Sequence, residues 1–430
     1  MKTRSPKMCK PIPSPCCSRR RFLAFCGTAL AWLGLGHYLP ATAEAGQNSW
    51  QFLRQIITHD PATSRTIMWQ SHSLPQDTHL EYRLRADAAP QRVDAGYEYL
   101  ALDGTVTYTF HAAITGLQPG QSCQYRICWE QQAGTWHTLT TPARDAACHA
   151  VLINDSQCAD YTVLTRNLRR IMARHADADF LADLGDLTDN GESDWHWRSF
   201  FASVGDALVQ RPFVPVMGNH ECYGLNWQMC LPSRYLAGFA LPANGSQRFP
   251  GYYYDFNWGP VHFIVLNTQM LELSDLRPGL LTEQLAWLKR VRAQSQLPWQ
   301  VVLMHKDIIA YGEYQQGTGL TSGISDVGHA FMTAFDALGI DLVLTGHMHT
   351  YRNRGHIYQG KHADHGPVYV LYGPSGDQHY EVPANPDFDV VSCPQPTKDN
   401  YVTLSATPAQ LQLQAWYVDG GHLDTITLQK

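Results

Sequence analysis

Five short groups of polar residues carry the chemistry that this sequence could perform. They contain carboxylate, amide and imidazole side chains, which bind divalent metal ions and transfer protons in enzymes. In chain order the groups are Asp155-Ser156-Gln157, Gly185-Asp186-Leu187-Thr188-Asp189, Gly218-Asn219-His220-Glu221, His305 and Gly346-His347-Met348-His349. A single Gly-Asp or Asn-His pair is ordinary loop sequence. Five groups in one chain, rich in oxygen and imidazole donors, indicate a metal site.

Short apolar segments precede these groups and must position them. Segments with the composition of buried strands occur at 150–153, 180–184, 301–304 and 341–344. Segments with helical periodicity occur at 163–174, 284–291 and 331–338. Strands that alternate with helices predict an α/β fold. In such a fold the polar groups follow the carboxyl ends of strands, where open α/β sheets place their ligands.

The part of the chain before these groups has a different pattern. Residues 48–143 contain short segments with strand-like alternation, such as 105–110, separated by turn residues. The sequence Leu117-Gln118-Pro119-Gly120 is one such turn signal. Short alternating strands with regular turns predict an all-β sandwich domain ahead of the α/β domain.

The five polar groups, in this order, resemble the ordered motifs of the calcineurin-like metallophosphoesterase superfamily over residues 148 to about 350. The segment 54–64, Trp69 and the turn at 116–120 are similar to the fibronectin-III-like amino-terminal domain of purple acid phosphatases, and 419–424 resembles their last hairpin. The resemblance implies an all-β domain over 48–143. It implies a two-sheet α/β sandwich, the catalytic domain, over 148–430.

The resemblance also implies a site for two divalent metal ions, with Fe, Mn or Zn suited to oxygen and imidazole ligands. Asp155, Asp186 and His349 would bind one ion. Asp186, Asn219, His305 and His347 would bind the other, so that Asp186 bridges the pair. His220 would act as the general acid and Asp189 would orient it.

Two positions depart from the family pattern. Gln157 stands where many members have His, and its amide oxygen could ligate weakly or hold a water molecule. Asp189 stands where purple acid phosphatases have the Tyr whose phenolate binds ferric iron. The second departure argues against a ferric-tyrosinate mechanism and favours two divalent ions.

The expected function is hydrolysis of small-molecule phosphate monoesters by metal-activated hydroxide. Hydrolysis of phosphodiesters, with nucleotide, cyclic nucleotide or lipid head-group substrates, is the alternative within enzymes. A non-catalytic binding protein with a vestigial site is the alternative of another class. The segment 222–251 is a long insertion after the third motif, and Tyr223, Trp227 and Arg234 are candidate substrate contacts there.

The first 45 residues resemble a twin-arginine export signal. Ser18-Arg19-Arg20-Arg21-Phe22-Leu23 precedes an apolar run over 22–36, and small residues follow at 41–45. The run is shorter than the roughly 20 residues that span a bilayer, so we expect cleavage rather than anchoring. The mature chain would then be periplasmic or secreted after contact with the twin-arginine machinery. No later segment predicts a membrane span.

The net charge bears on nucleic-acid binding, and the cysteine content bears on disulfide bonds. The net charge of −6 and the lack of a later basic tract argue against a nucleic-acid scaffold. Four of the eleven cysteines lie in the predicted signal, which leaves seven, an odd number that cannot all pair internally. We therefore expect a fold that needs no disulfide, with Cys222 and Cys230 as the candidates for later pairing.

Overall fold

The computed structural model describes residues 50–310 and 323–430. The predicted export signal lies outside these residues. The amino-terminal part consists of strands only: β1 (Gln51–Ile56), β2 (Arg65–Ser71), β3 (Thr78–Arg83), β4 (Gln91–Asp94), β5 (Gly96–Leu102), β6 (Thr105–Ile114), β7 (Ser122–Trp129), β8 (Gln132–Ala133) and β9 (His137–Thr140).

Strands and helices alternate from residue 148 onward, as the pattern predicts. The strands are β10 (Cys148–Ile153), β11 (Phe180–Asp183), β12 (Pro212–Pro215), β13 (Tyr254–Trp258), β14 (Val261–Val265), β15 (Trp299–Leu303), β16 (Leu342–Thr345), β17 (Arg352–Tyr358), β18 (Lys361–His362), β19 (Val368–Leu371), β20 (Val391–Ser392), β21 (Asn400–Ala406), β22 (Gln410–Tyr417) and β23 (His422–Gln429). The α-helices are α1 (Tyr161–Arg174), α2 (Asp194–Gln210), α3 (Ser233–Gly238), α4 (Leu280–Gln294) and α5 (Asp326–Leu338), and a 3₁₀ turn covers His220–Cys222.

Side chains from alternate positions of one strand pack on opposite faces of its sheet. In β10, Ala150 and Leu152 belong to a buried cluster that also contains Phe263 and Val301 of the second sheet. Their neighbours Val151 and Ile153 belong to another cluster, which includes residues of α1 and α2. Strands buried on both faces pack between a second sheet and a layer of helices. The predicted two-sheet α/β sandwich is therefore confirmed.

Two sheets form this sandwich, and a third completes the amino-terminal domain. The first has the order β23-β22-β21-β10-β11-β12-β1-β2-β6-β5, and the second has the order β13-β14-β15-β16-β19-β17-β18 with β20 beside β17. The third has the order β4-β3-β7-β8 with β9 beside β7. The amino-terminal domain is all-β, as predicted, and its core contains Trp69, Phe110, Tyr125 and Ile127.

The amino-terminal domain and the α/β domain share one sheet, which the sequence did not indicate. Strand β1 pairs in parallel with β12, with Gln55 opposite Pro212 and Ile56 opposite Phe213. This pairing occupies the edge of β12 that would otherwise present unpaired backbone groups. The two parts of the chain are thus joined by backbone hydrogen bonds as well as by the connecting segment.

The seven cysteines in the described part of the chain are all free. Cys222 and Cys230, the predicted candidates for pairing, are among them, although the amide of Cys230 donates to the carbonyl of Cys222 at 2.8 Å. Among the described residues, no helix is both long and apolar enough to cross a membrane.

Arg54, on strand β1 of the shared sheet, contacts residues of the helical layer. Its side chain is 1% exposed, and Nη2 donates to the carbonyl of Gly238 at 2.6 Å. Nη1 donates to the carbonyl of Phe52 at 2.8 Å, and the guanidinium lies 4.4 Å from the centroid of the Phe201 ring. Burial lowers the pKa of Arg54 to about 9. The cation therefore depends on these contacts to remain buried.

We predict that Arg54→Ala lowers the free energy of unfolding by about 3 kcal/mol, because it leaves a buried carbonyl without its donor and a cavity beside Phe201. Urea denaturation measures the change. The control is Arg85→Ala, which removes an exposed ion pair with Asp87 and should change stability little. Equal effects of the two substitutions would contradict the role of Arg54.

Candidate metal centre

The loops that carry the five polar groups meet at one edge of the two-sheet sandwich. Asp155 follows β10, Asp186 follows β11 and Asn219 follows β12 on the first sheet. His305 follows β15, and the segment from His347 to His349 follows β16, on the second sheet. The strands that end here run parallel within each sheet, so their carboxyl ends lie at the same edge.

Backbone strain is concentrated in these loops. Among the non-glycine residues that the structure describes, nine have a positive φ. Four of the nine are predicted ligands, namely Asp155 (φ 49°), Asp186 (φ 53°), His347 (φ 75°) and His349 (φ 48°). Such conformations cost free energy and cluster at functional sites, where surrounding contacts maintain them. The chain therefore holds these side chains in place at a cost in stability.

The predicted ligands form two groups that share Asp186. The donor atoms of Asp186, His305 and His347 all lie within 4.8 Å of one another, and so do those of Asp155, Asp186 and His349. His305 Nε2 is 3.1 Å from Asp186 Oδ2 and also 3.1 Å from Asn219 Oδ1. This is the grouping that the family resemblance implies, with Asp186 between the two positions.

Backbone carbonyls fix the orientation of two of the histidines. His305 Nδ1 lies 2.9 Å from the carbonyl of Leu184, and His349 Nδ1 lies 2.7 Å from the carbonyl of Gln378. A carbonyl only accepts, so each Nδ1 carries hydrogen and each Nε2 has a lone pair in the neutral ring. Both lone pairs are thus available to a metal ion, as in many sites where a neighbouring group orients the ligand.

The donor set fits divalent cations. Asp155 and Asp186 are almost completely buried, and a buried carboxylate requires a compensating charge. Burial raises the pKa of Asp155 to about 8. Burial acts in the same direction on Asp186, but the charges of His305 and His220 outweigh it and hold the pKa of Asp186 below its usual range.

Gln157 lies beside the group that contains His349. Its Nε2 is 3.3 Å from His349 Nε2, and its buried Oε1 has no hydrogen-bond partner among the described residues. A buried carbonyl oxygen without a donor is unfavourable unless a cation or a water molecule contacts it. This position agrees with either of the two roles predicted for Gln157, ligand or holder of a water molecule.

His220 faces the shared carboxylate. Its Nε2 lies 3.9 Å from Asp186 Oδ2, and its Nδ1 lies 2.7 Å from the backbone carbonyl of Asp189. The Asp189 carboxylate is farther away, with Oδ1 3.6 Å from the same nitrogen, and it accepts instead from Gln378 Nε2 at 2.9 Å. The nearest orienting group is therefore the main chain of Asp189, whereas the sequence suggested its side chain.

Glu221 is a residue of the third motif to which the sequence assigned no role. Its carboxylate is 1% exposed and accepts from four backbone amides at 2.7 to 3.3 Å, which belong to Asp186, Leu187, Thr188 and Gly218. Burial, with the charge of Asp186, raises its pKa to about 7. Glu221 thus joins the second and third motifs. The sequence feature that could have identified Glu221 is a carboxylate directly after the Asn219-His220 pair.

Glycines allow the loops to approach this closely. A Cβ at Gly218 would overlap the backbone nitrogen and Oδ1 of Asp186. A Cβ at Gly346 would overlap the amide group of Asn154. These contacts explain why glycine precedes the ligand residues of the third and fifth motifs.

The structure places two of the three candidate substrate contacts of the insertion beside His220 and the third elsewhere. Tyr223 and Trp227 lie beside His220, with ring centroids 5.5 and 6.1 Å from the imidazole. Arg234 does not reach the site. It is 6% exposed and donates to Asp194 Oδ1 and to the carbonyl of Leu102. Its role is to join α2, α3 and β5.

Comparisons with known proteins agree with this geometry. Residues 148–351 match the calcineurin-like phosphoesterase family, and residues 51–141 match the purple acid phosphatase N-terminal domain. Purple acid phosphatase 15 of Arabidopsis thaliana is 24% identical over 336 residues, which cover 68% of this chain and 59% of that protein. Purple acid phosphatase 21 of the same plant is 27% identical over 273 residues, which cover 62% and 58%.

A solved structure shows the same fold. The purple acid phosphatase PPD1 from yellow lupin seeds superimposes with a TM-score of 0.74 at 19% identity, covering 89% of this chain and 74% of that chain. Residues 148–351 therefore form a calcineurin-like phosphoesterase domain, and residues 51–141 form an amino-terminal domain of the purple acid phosphatase type. The chain spans little more than half the length of the curated relatives named here.

We predict that Glu221→Gln weakens metal binding about 10- to 100-fold, the usual effect of removing a group that orients ligands. A carboxamide has one acceptor oxygen, so its NH₂ group would face amides that also donate. Metal content after dialysis against a fixed zinc concentration measures the loss. The control is Glu283→Gln on α4, whose carboxylate accepts from Ser246 and Tyr253. Equal metal content in both variants would contradict this role.

Cation binding should release protons near pH 7. The pKa of Asp155 is raised to about 8 by burial; for His305, burial is outweighed by the charge of Asp186 and the pKa is about 9. Because the folded metal-free chain holds more protons than the unfolded chain, its stability falls as the pH rises through these values. Metal affinity should rise over the same range. Calorimetric titration in two buffers of different ionisation enthalpy measures the released protons, and none would contradict the assignment of these ligands.

Proposed function

We propose that this chain is an exported phosphoesterase with two divalent metal ions that hydrolyses small-molecule phosphate monoesters. Residues 48–143 form its accessory domain and residues 148–430 its catalytic domain. The observation that carries the proposal is the pair of donor groups around Asp186, with His220 Nε2 facing the same carboxylate at 3.9 Å. Metal ligands and a proton donor around one point are what phosphate ester hydrolysis requires.

The ligands are assigned by their positions. Asp186 is common to both donor groups and would contribute to both ions. Asp155 and His349 would hold one ion, and Gln157 would contribute an amide oxygen to it or hold a water molecule. Asn219, His305 and His347 would hold the other. Mn, Fe or Zn suits this set of oxygen and imidazole donors. The two cations would supply positive charge for the phosphoryl oxygens and acidity for the attacking water molecule.

His220 is assigned the role of proton donor to the leaving oxygen. Burial acts to lower its pKa, but the charges of Asp186 and Asp189 outweigh it, so the pKa of His220 is raised. His220 Nδ1 lies 2.7 Å from the carbonyl of Asp189, which can only accept, and Nε2 lies 3.9 Å from Asp186 Oδ2, too far for a hydrogen bond. An imidazolium in this position can donate to an alkoxide as it leaves.

The purple acid phosphatase type of amino-terminal domain supports a monoester substrate. Assays of the metal-loaded protein with nitrophenyl phosphate and with bis(nitrophenyl) phosphate test the choice. Faster hydrolysis of the monoester is expected. Preference for the diester would instead make the chain a phosphodiesterase. Hydrolysis of neither would favour a non-catalytic binding protein, against which the presence of every predicted ligand argues.

We predict that His220→Ala slows the hydrolysis of alkyl phosphates about 10²- to 10⁴-fold, the usual contribution of general acid catalysis. Nitrophenyl phosphate should be affected far less, because nitrophenolate leaves without a proton. Rates with both substrates and metal content provide the measurement. Asp189→Asn keeps the carbonyl that holds His220 but removes a charge that raises the pKa of His220, so the same selectivity is expected in weaker form. Equal losses for both substrates in His220→Ala would contradict proton donation.

Export is supported by the sequence at 18–23 alone, which lies outside the described residues. We predict that replacing Arg19 and Arg20 by lysine leaves the precursor inside the cell, because the twin-arginine machinery recognises the arginine pair. Comparison of cytoplasmic and periplasmic fractions of a bacterial host tests this. Activity that still appears in the periplasm would exclude the proposed route.

A further inference from the structure

The residues that follow His220 form a closed loop beside it. In this loop, residues 223–229, the amide of Gly224 donates to the carbonyl of Gln228 at 2.8 Å, and the amide of Trp227 donates to the carbonyl of Gly224 at 2.7 Å. Tyr223 and Met229 form an antiparallel bridge at its base. These bonds give the loop a defined conformation.

The loop is also fixed to the segment after the second motif. The amide of Gly191 donates to the carbonyl of Tyr223 at 3.0 Å, and Asn190 Nδ2 donates to the carbonyl of Gly224 at 2.7 Å. Trp227 has a φ of 58°, a conformation that costs free energy for a bulky residue. The backbone of Trp227 is therefore strained, and the hydrogen bonds of the loop maintain this conformation.

Three rings meet at this point. The centroid of Trp227 lies 6.1 Å from that of His220, with the ring planes at 90°, and 6.3 Å from that of Tyr223. Tyr223 is 8% exposed, whereas Trp227 is 40% exposed. The edge-to-face contact with His220 leaves part of the indole open to solvent, next to the imidazole that would face the leaving group.

The loop carries no lysine, arginine, aspartate or glutamate, since its sequence is Tyr-Gly-Leu-Asn-Trp-Gln-Met. It therefore offers no positive charge for a second phosphate or for a carboxylate on the substrate, and the carboxylate of Glu192, which accepts from the amide of Leu225 at 3.0 Å, would repel either group. An exposed tryptophan on a neutral loop gains most from covering its ring with another apolar, planar group.

We propose that Trp227 is a specificity determinant that stacks on the leaving group, and that the preferred substrates are phosphate monoesters of uncharged alcohols bearing an aromatic ring. The proposal rests on the proposed function, because it places the leaving group on the His220 side of the metal centre. It adds the class of alcohol that the site selects.

Two substrates of similar size and similar leaving-group acidity isolate the effect: benzyl phosphate and cyclohexylmethyl phosphate. The ratio of kcat/KM for benzyl phosphate to kcat/KM for cyclohexylmethyl phosphate should fall about fivefold in Trp227→Ala. This factor corresponds to the stabilisation that one aromatic pair provides in addition to the burial of its surface. Trp227→Phe keeps a ring and should retain most of the ratio. Leu225→Ala is the control on the same loop, because Leu225 is 48% exposed and lies outside the three-ring contact.

An unchanged ratio in Trp227→Ala would overturn the role of Trp227 while leaving the proposed function intact. Failure of the wild-type protein to hydrolyse either ester would instead overturn the proposed function. Fluorescence of the wild-type protein gives a second test that does not depend on the folding of Trp227→Ala. Benzylphosphonate should quench the tryptophan fluorescence of the wild-type protein more than that of Trp227→Phe. Equal quenching of the two proteins would also count against the proposal.

Discussion

The burial of negative charge at the edge of two sheets is the constraint on which the site depends. Asp155 and Asp186 have almost no contact with solvent, and the imidazoles of His305, His347 and His349 surround them. Carboxylates in such a place are stable only beside cations or in their protonated form. Two divalent ions satisfy this requirement, which links metal binding, proton release and the stability of these loops in one equilibrium.

Another buried carboxylate, that of Glu221, joins these loops. Glu221 accepts from four amides in the second and third motifs, so movement of the backbone around Asp186 and Asn219 would break buried hydrogen bonds. The carbonyls of Leu184, Asp189 and Gln378 then set the rings of three histidines. The side chains that we propose as metal ligands and proton donor are thus oriented mostly by the main chain.

Much of the candidate site could be predicted from the sequence. The order of the five motifs, each after an apolar segment, indicated the family, the α/β fold and the residues that meet at the strand ends. Such features are local: an apolar strand followed by Gly-Asp or Gly-Asn-His places its polar residues at the carboxyl end of the strand wherever the sheet lies. The alternation of strand-like segments over 48–143 likewise predicted an all-β domain.

Only the tertiary structure decided how distant segments meet. The pairing of β1 with β12 joins residues more than a hundred positions apart, and both strands have ordinary sequences. The contact of His220 with the carbonyl of Asp189 depends on loop conformation, because every residue has a carbonyl and its direction is not written in residue type. For the same reason the sequence could not separate Trp227, which lies beside His220, from Arg234, which lies in the interior of the protein.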